Sequence, residues 1–165
     1  MTVSTITLKT PDGPFSVVAG PEAVLGAGWT DDIGILMGLI HPTLRPAQVQ
    51  QSTSAIIDQA STAVEEYYQG RLDAPSTVPV LQHSSPFRRR IWDILRTIPA
   101  GVPLTYAQLA ERAGNPKAVR AAGGGCAFNA AALFVPCHRI IRSDGTLGGF
   151  RYGLAIKRSL LDRES

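Results

Sequence analysis

Helix punctuation between residues 85 and 125 constrains this chain more than any other feature. Ser85-Pro86 reads as an N-cap followed by proline at the first helical position, where the missing N–H would have no partner anyway. Phe87, Ile91, Ile94, Leu95 and Ile98 mark one apolar face, Arg88, Arg89 and Arg90 lie largely off it, and Pro99-Ala100-Gly101 is the stop. Thr105 and Gln108 have the spacing of a capping box, opening a short helix over residues 106–113 that Gly114 closes. Asn115-Pro116 repeats the cap-plus-proline start, and a second helix is expected over residues 116–122, with Gly123, Gly124 and Gly125 after it. Two short helices joined through Gly-Asn form a helix-turn-helix. Such a pair either packs as ordinary core helices or offers its second helix to DNA.

That second helix is unusual for a major-groove reader. Lys117 and Arg120 are followed by Ala121-Ala122 and the three glycines, a smooth surface that would let the backbone approach a shallow minor-groove wall. A plain C-terminal stop is the other reading of the glycines.

Further on, an apolar run over residues 130–135 leads into Pro136-Cys137-His138-Arg139. A thiol is a nucleophile only as thiolate, and cationic neighbours such as His and Arg are expected to lower its pKa from about 8.5. The chain's two cysteines, Cys126 and Cys137, lie eleven positions apart with no export signal, so free thiols are expected, Cys126 as a small packing residue. The three histidines are widely separated and no Cys-x-x-Cys occurs, so no metal site is expected. Residues 140–142 and 147–150, around Ser143-Asp144-Gly145-Thr146, read as a hairpin like the wing of a winged-helix domain. A last helix over residues 154–163 is expected to turn Leu154, Leu160 and Leu161 inward, with Glu164 at its end.

Upstream, residues 5–9, 15–19 and 23–28 alternate as the strands of a small antiparallel meander, turned first at Pro11-Asp12-Gly13. Residues 33–40 are apolar throughout and suit either a buried strand or a short helix. From Pro46 the spacing of Val49, Thr53, Ile56, Ile57, Ala60, Val64 and Tyr67 is helical, with Gly70 as the stop. Residues 71–85 keep no period and read as a connection. Charge changes at the same place: three Lys/Arg against eight Asp/Glu before residue 86, thirteen against five from there on. A basic half of this kind suits a polyanionic partner. The N-terminus lacks the basic and apolar regions of a signal peptide, and the longest apolar run is too short to span a bilayer, so a soluble cytoplasmic protein is expected, with no membrane partner.

Together, Thr105-Tyr106-x-x-Leu109-Ala110, residues 115–121 (Asn-Pro-Lys-Ala-Val-Arg-Ala), Asn129, Pro136-Cys137-His138-Arg139-Ile140, Gly153-Leu154 and Lys157 resemble the O6-alkylguanine-DNA alkyltransferases. The likeness is dense over residues 86–165 and looser before. It implies an α+β chain: a ribonuclease-H-like domain (1–75), a linker (76–85) and a winged-helix DNA-binding and alkyl-acceptor domain (86–165), without a preceding zinc-binding domain.

The same resemblance implies transfer of an alkyl group from O6-alkylguanine, and from O4-alkylthymine, to Cys137 in one irreversible turnover without a cofactor. His138 would serve as base through a water, oriented by Glu164, and Asn129 would hold the turn. Arg120 would replace a base flipped out through the minor groove, beside Thr105, Ala121, Gly123 and Gly124. Tyr106 would press on the rotated phosphate and bond guanine N3. The carbonyls of Cys137 and Ile140 and the backbone N–H of Arg151 would meet the base, with Phe150 and Tyr152 lining the pocket, Arg139 tethering the turn and Lys157 behind it. The partner would be double-stranded DNA carrying the lesion, bound by a monomer that can act cooperatively. The chain departs from the family at Ala130, where proline is usual, and at Tyr152, which narrows the pocket rim. The alternative is a winged-helix lesion binder without chemistry, from which the presence of Cys137 separates it.

Overall fold

The computed structural model describes residues 3–165; Met1 and Thr2, which open the first domain read from the sequence, lie outside the described residues. The chain divides into two compact units. One runs to His83 and includes Ala130–Phe134, and the other comprises Ser84–Asn129 and Val135–Ser165.

The first unit is built on a four-stranded sheet in the order β3-β2-β1-β4. Strand β1 (Val3–Thr10) turns at Asp12-Gly13 into β2 (Gly13–Ala19), with Thr5 opposite Val18 and Thr7 opposite Ser16, and β3 (Val24–Gly28) completes the antiparallel meander. Gly13 sits at φ +101°, a conformation open to glycine at no steric cost. The apolar run left undecided is helix α1 (Ile33–Leu39): Asp32 accepts the N–H of Gly34 at its start. Leu36 and Ile40 reach a core shared with Val3, Val18, Leu25 and Ala130.

The helical spacing from Pro46 misleads over its first residues. Val49–Gln51 is β4, added parallel to β1, and helix α2 (Ala55–Tyr68) begins only after Ser54, whose hydroxyl accepts the N–H of Ile57 at 3.1 Å. The stretch expected as linker is partly structured. A 3-10 turn spans Ala74–Thr77, and Val80 bridges to Val24 beyond it.

Residues 130–134, read from the sequence with the second domain, lie instead on the edge of the first unit's sheet. Ala131 pairs in parallel with Ala27, the N–H of Ala27 donates to Ala130 and the N–H of Ala132 to Ala27. All five side chains are buried, and Phe134 packs 6.3 Å from Phe15. Five consecutive apolar residues cannot be left in water, and the open edge of β3 satisfies their backbone as well.

In the second unit, helix α3 (Pro86–Leu95) is capped by Ser85 as read. Strand β5 (Leu104–Thr105) leads into α4 (Tyr106–Arg112), where both halves of the capping box are present: Gln108 N–H to Thr105 Oγ1 at 3.1 Å and Thr105 N–H to Gln108 Oε1 at 2.9 Å. Helix α5 departs from expectation. It runs Val119–Ala127 and carries the three glycines inside it. Gly125 faces α3, where a Cβ would lie 2.7 Å from Ile91 Cγ2, and its carbonyl accepts the indole N–H of Trp92 at 2.9 Å. The glycines therefore lie within the helix and are not its stop, and Gly125 is a close-packing position against α3.

The expected wing also differs. Strand β6 (Ile140–Ile141) pairs in parallel with β5, and Arg142 and Thr146 close the turn after it, but residues 147–150 form no return strand. Helix α6 (Leu154–Glu164) ends the chain; its buried stripe is Lys157, Leu160 and Glu164, whereas Leu154 is 51% exposed. The two charged residues are inside because each has partners there.

Candidate active site

Cys137 opens a 3-10 turn, Cys137–Arg139, that directly follows Pro136. Asn129, the last residue of the second unit before the buried run, donates its side-chain N–H to the carbonyl of Val135 at 2.8 Å, closing the five-residue excursion at its base. The same side chain hydrogen-bonds the thiol. The turn is thus fixed from behind.

The thiol itself corrects the sequence-based expectation. Burial pushes its pKa up; the Asn129 hydrogen bond and the Lys157 and Arg151 cations pull against this without overcoming it. The adjacent histidine does not lower it, because His138 points elsewhere. Cys126, on α5, is likewise held up, first by burial and then by the charge of Cys137. Both cysteines are free, and each is half-buried as a residue.

His138 is wholly buried, with Nε2 2.7 Å from Glu164 Oε2. Arg139 grips the same carboxylate twice, Nε to Oε1 at 2.8 Å and Nη2 to Oε2 at 3.1 Å, and donates Nη1 to the carbonyl of Ile98 at 2.8 Å. Burial works against ionisation of Glu164, but His138 and Arg139 outweigh it and hold its pKa at about 2. An ionised carboxylate only accepts, so Nε2 carries the proton and Nδ1 is left as an acceptor. Nδ1 has no hydrogen-bond partner among the described residues. Burial, with Arg139 and Lys157 behind it, keeps the pKa of His138 below its ordinary value despite Glu164. This yields a neutral imidazole with one basic nitrogen.

Lys157 has a larger part than its sequence position suggested. Its ammonium, fully buried, donates to the carbonyls of Ile140 (2.7 Å), Leu147 and Gly149 (3.3 Å), so one side chain pins the irregular segment that replaces the wing's return strand. The segment is tied twice more. Arg151 Nη2 donates to the carbonyl of Ala127 at the end of α5 (2.6 Å), and a Cβ at Gly148, φ +73°, would lie 3.1 Å from the Tyr106 hydroxyl. Tyr106 is half-buried between Gly148 and Gly123, and burial raises its pKa to about 12. Phe150 and Tyr152 meet edge to face at 5.8 Å, and Tyr152 is also raised to about 12, chiefly by burial.

The structure therefore gathers Cys137, His138, Arg139, Asn129, Lys157 and Glu164 around one turn, with Tyr106 and residues 147–152 tied into a rim. Thr105 serves as the cap of α4. Arg120 and Ala121 take no part in this network and stand exposed on α5, while Gly123 and Gly124 are half-buried there. The sequence reading missed the Lys157 clamp and the Arg151 side-chain tie. The first was recoverable, since Lys157, Leu160 and Glu164 share one helical face; the second rests on where α5 ends. No group of three or more His, Cys, Asp or Glu able to hold a metal is present among the described residues, and no described helix is long and apolar enough to cross a membrane.

Fold and site together define a helix-turn-helix protein in which one turn carries a thiol and, in the next two residues, the His and Arg of a buried Arg–Glu–His chain. Residues 86–165 match the family profile described as 6-O-methylguanine DNA methyltransferase, DNA binding domain. Over 158 residues the chain is 34% identical to the methylated-DNA–protein-cysteine methyltransferase of Shigella flexneri, covering 95% of this chain and 92% of that protein. It is 47% identical over 93 residues to the bifunctional transcriptional activator/DNA repair enzyme Ada of Escherichia coli, a match spanning 56% of this chain but only 26% of that longer protein. The crystal structure of Mycobacterium tuberculosis OGT in complex with DNA superposes with a TM-score of 0.80 at 27% identity, over 99% of this chain and 92% of that one. The chain belongs to the methylated-DNA–protein-cysteine methyltransferase family.

Proposed function

We propose that this chain repairs duplex DNA by moving the alkyl group from O6 of an alkylated guanine to Sγ of its own Cys137. The observation that carries the reading is the buried Arg139–Glu164–His138 chain, which leaves one basic nitrogen in the residue next to the thiol. His138 Nδ1 takes the thiol proton through an intervening water. Sγ then attacks the alkyl carbon; the C–S bond forms as the C–O bond breaks, and the electron pair stays on guanine, which regains a proton. The Tyr106 hydroxyl, kept protonated by burial, donates to the departing base at N3.

Phe150 and Tyr152 line the pocket, and the carbonyls of Cys137 and Ile140 accept from the base. The Ile140 carbonyl already holds Lys157 on one lone pair and keeps the second. Arg120, exposed on α5, enters the minor groove and occupies the gap left by the flipped nucleotide, whose unstacking costs a few kcal/mol. An alkyl thioether at Cys137 is a poor electrophile, so the transfer is not reversed and each molecule transfers once.

The test is incubation with duplex DNA carrying radiolabelled O6-methylguanine. One label per molecule, mapped to Cys137 and absent in Cys137→Ala, is expected. Continued turnover, or label retained in Cys137→Ala, would overturn the proposal, and a lesion binder without chemistry would hold the DNA and gain no label.

A further inference from the structure

The outer face of α5 does not end at its glycines. Ala121, Gly124 and Phe128 are spaced three and then four residues apart, so they form one stripe along the helix. The stripe finishes on Phe128, a phenylalanine 58% exposed at the C-cap. Arg88 from α3 lies over this ring, its guanidinium carbon 4.4 Å from the centroid, and a Cβ at Gly124 would be 3.6 Å from its Nη2.

Arg88 is half-buried yet makes no side-chain hydrogen bond or ion pair among the described residues. A guanidinium seated on an aromatic face loses little further freedom when its planar donors meet an anion, and that fork matches a phosphate. Its neighbours differ in this respect, since Arg90 is committed to the carbonyl of Ala113 and Arg89 is simply exposed. Arg120 and Phe128 are eight residues apart on α5, roughly 12 Å at the helical rise of ~1.5 Å per residue.

We propose that Arg88, held on Phe128, is a phosphate contact for duplex DNA lying along the outer face of α5, at the end of the helix away from Arg120. Phe128 is its positioning residue. The inference rests on the DNA-repair reading, and its contribution is independent of lesion chemistry: it belongs to the backbone term that all duplexes share.

The experiment is fluorescence anisotropy of the full chain with an unmodified duplex between 50 and 200 mM salt, for wild type, Arg88→Gln, Arg88→Lys, Phe128→Ala and Arg89→Gln, each with a thermal melt to show that it is folded. One lost phosphate contact reduces the slope of log affinity on log salt by about 0.9, so the wild-type advantage over Arg88→Gln shrinks about 3.5-fold across that range. Arg88→Lys keeps the slope but binds more weakly, Phe128→Ala binds more weakly at every salt, and Arg89→Gln stays near wild type in slope. An unchanged slope in Arg88→Gln, or an equal loss in Arg89→Gln, overturns the assignment. Failure of the labelled-DNA transfer in the wild type would instead count against the repair reading, so the two failures are distinguishable.

Discussion

At the scale of single residues, the thiol and its base have been tuned in the same direction. Burial favours the protonated Cys137 and the unprotonated His138, so the proposed attack starts from a neutral pair. Two outcomes follow from the signs. Single-turnover transfer by the wild type should be nearly flat above the usual histidine range near pH 6.5, because the base is already free there. In His138→Gln the rising limb should move above about 8.5, where the thiol must ionise unaided; rapid-quench rates from pH 5.5 to 9.5 read this directly. Glu164 gives a stability test. Its folded pKa of about 2 lies below the ordinary carboxylate value, so its contribution is present above that value and lost as pH falls through the folded one. Glu164→Gln should therefore be less stable than wild type by roughly 3 kcal/mol at pH 7. The gap should close between about pH 4.5 and 2 in urea melts.

At the scale of elements, α5 and the segment after β6 show how packing overrode local propensity. Glycines normally end helices, yet three continue inside α5; at Gly125 this is because Ile91 fills the space a side chain would need, whereas a Cβ at Gly123 or Gly124 would meet only ordinary contacts. Adjacent glycines should then respond oppositely. Gly125→Ala meets the stiff, β-branched Ile91 at 2.7 Å and should lower stability by about 1–3 kcal/mol. Gly124→Ala meets only the end of Arg88 at 3.6 Å and should gain up to about 1 kcal/mol of helix propensity. Thermal melts decide both. The rim segment has no ladder of its own and depends on the Lys157 ammonium. Lys157→Met leaves three carbonyls without that donor, so amide exchange over residues 147–150 should quicken at least about tenfold, while α2 exchanges as before.

At the scale of the whole molecule, residues 130–134, just ahead of the Cys137 turn, belong to the other unit. Phe134, three residues before Cys137, is fully buried with Phe15 in the first unit. Phe134→Ala should cost about 3–5 kcal/mol, with increased amide exchange in β2 and β3, a destabilisation of the N-terminal unit by a change beside the active-site motif.

Much of this was legible from residue order. Ser85, Thr105 with Gln108, and the Pro-Cys-His-Arg turn carry their meaning in spacing of a few residues, because capping bonds and the thiol's immediate neighbours are local. Long-range partners were not legible. That His138 would turn to Glu164 and not to Cys137, that Lys157 would clamp three carbonyls, and that residues 130–134 would join β3 depend on groups 8 to 105 positions away in the chain. Sequence by itself determined the starts of α3 and α4 and the family. The tertiary structure decided the protonation of the site and the course of the chain around it, because desolvation and the pairing of buried charges exist only once distant segments have closed over them.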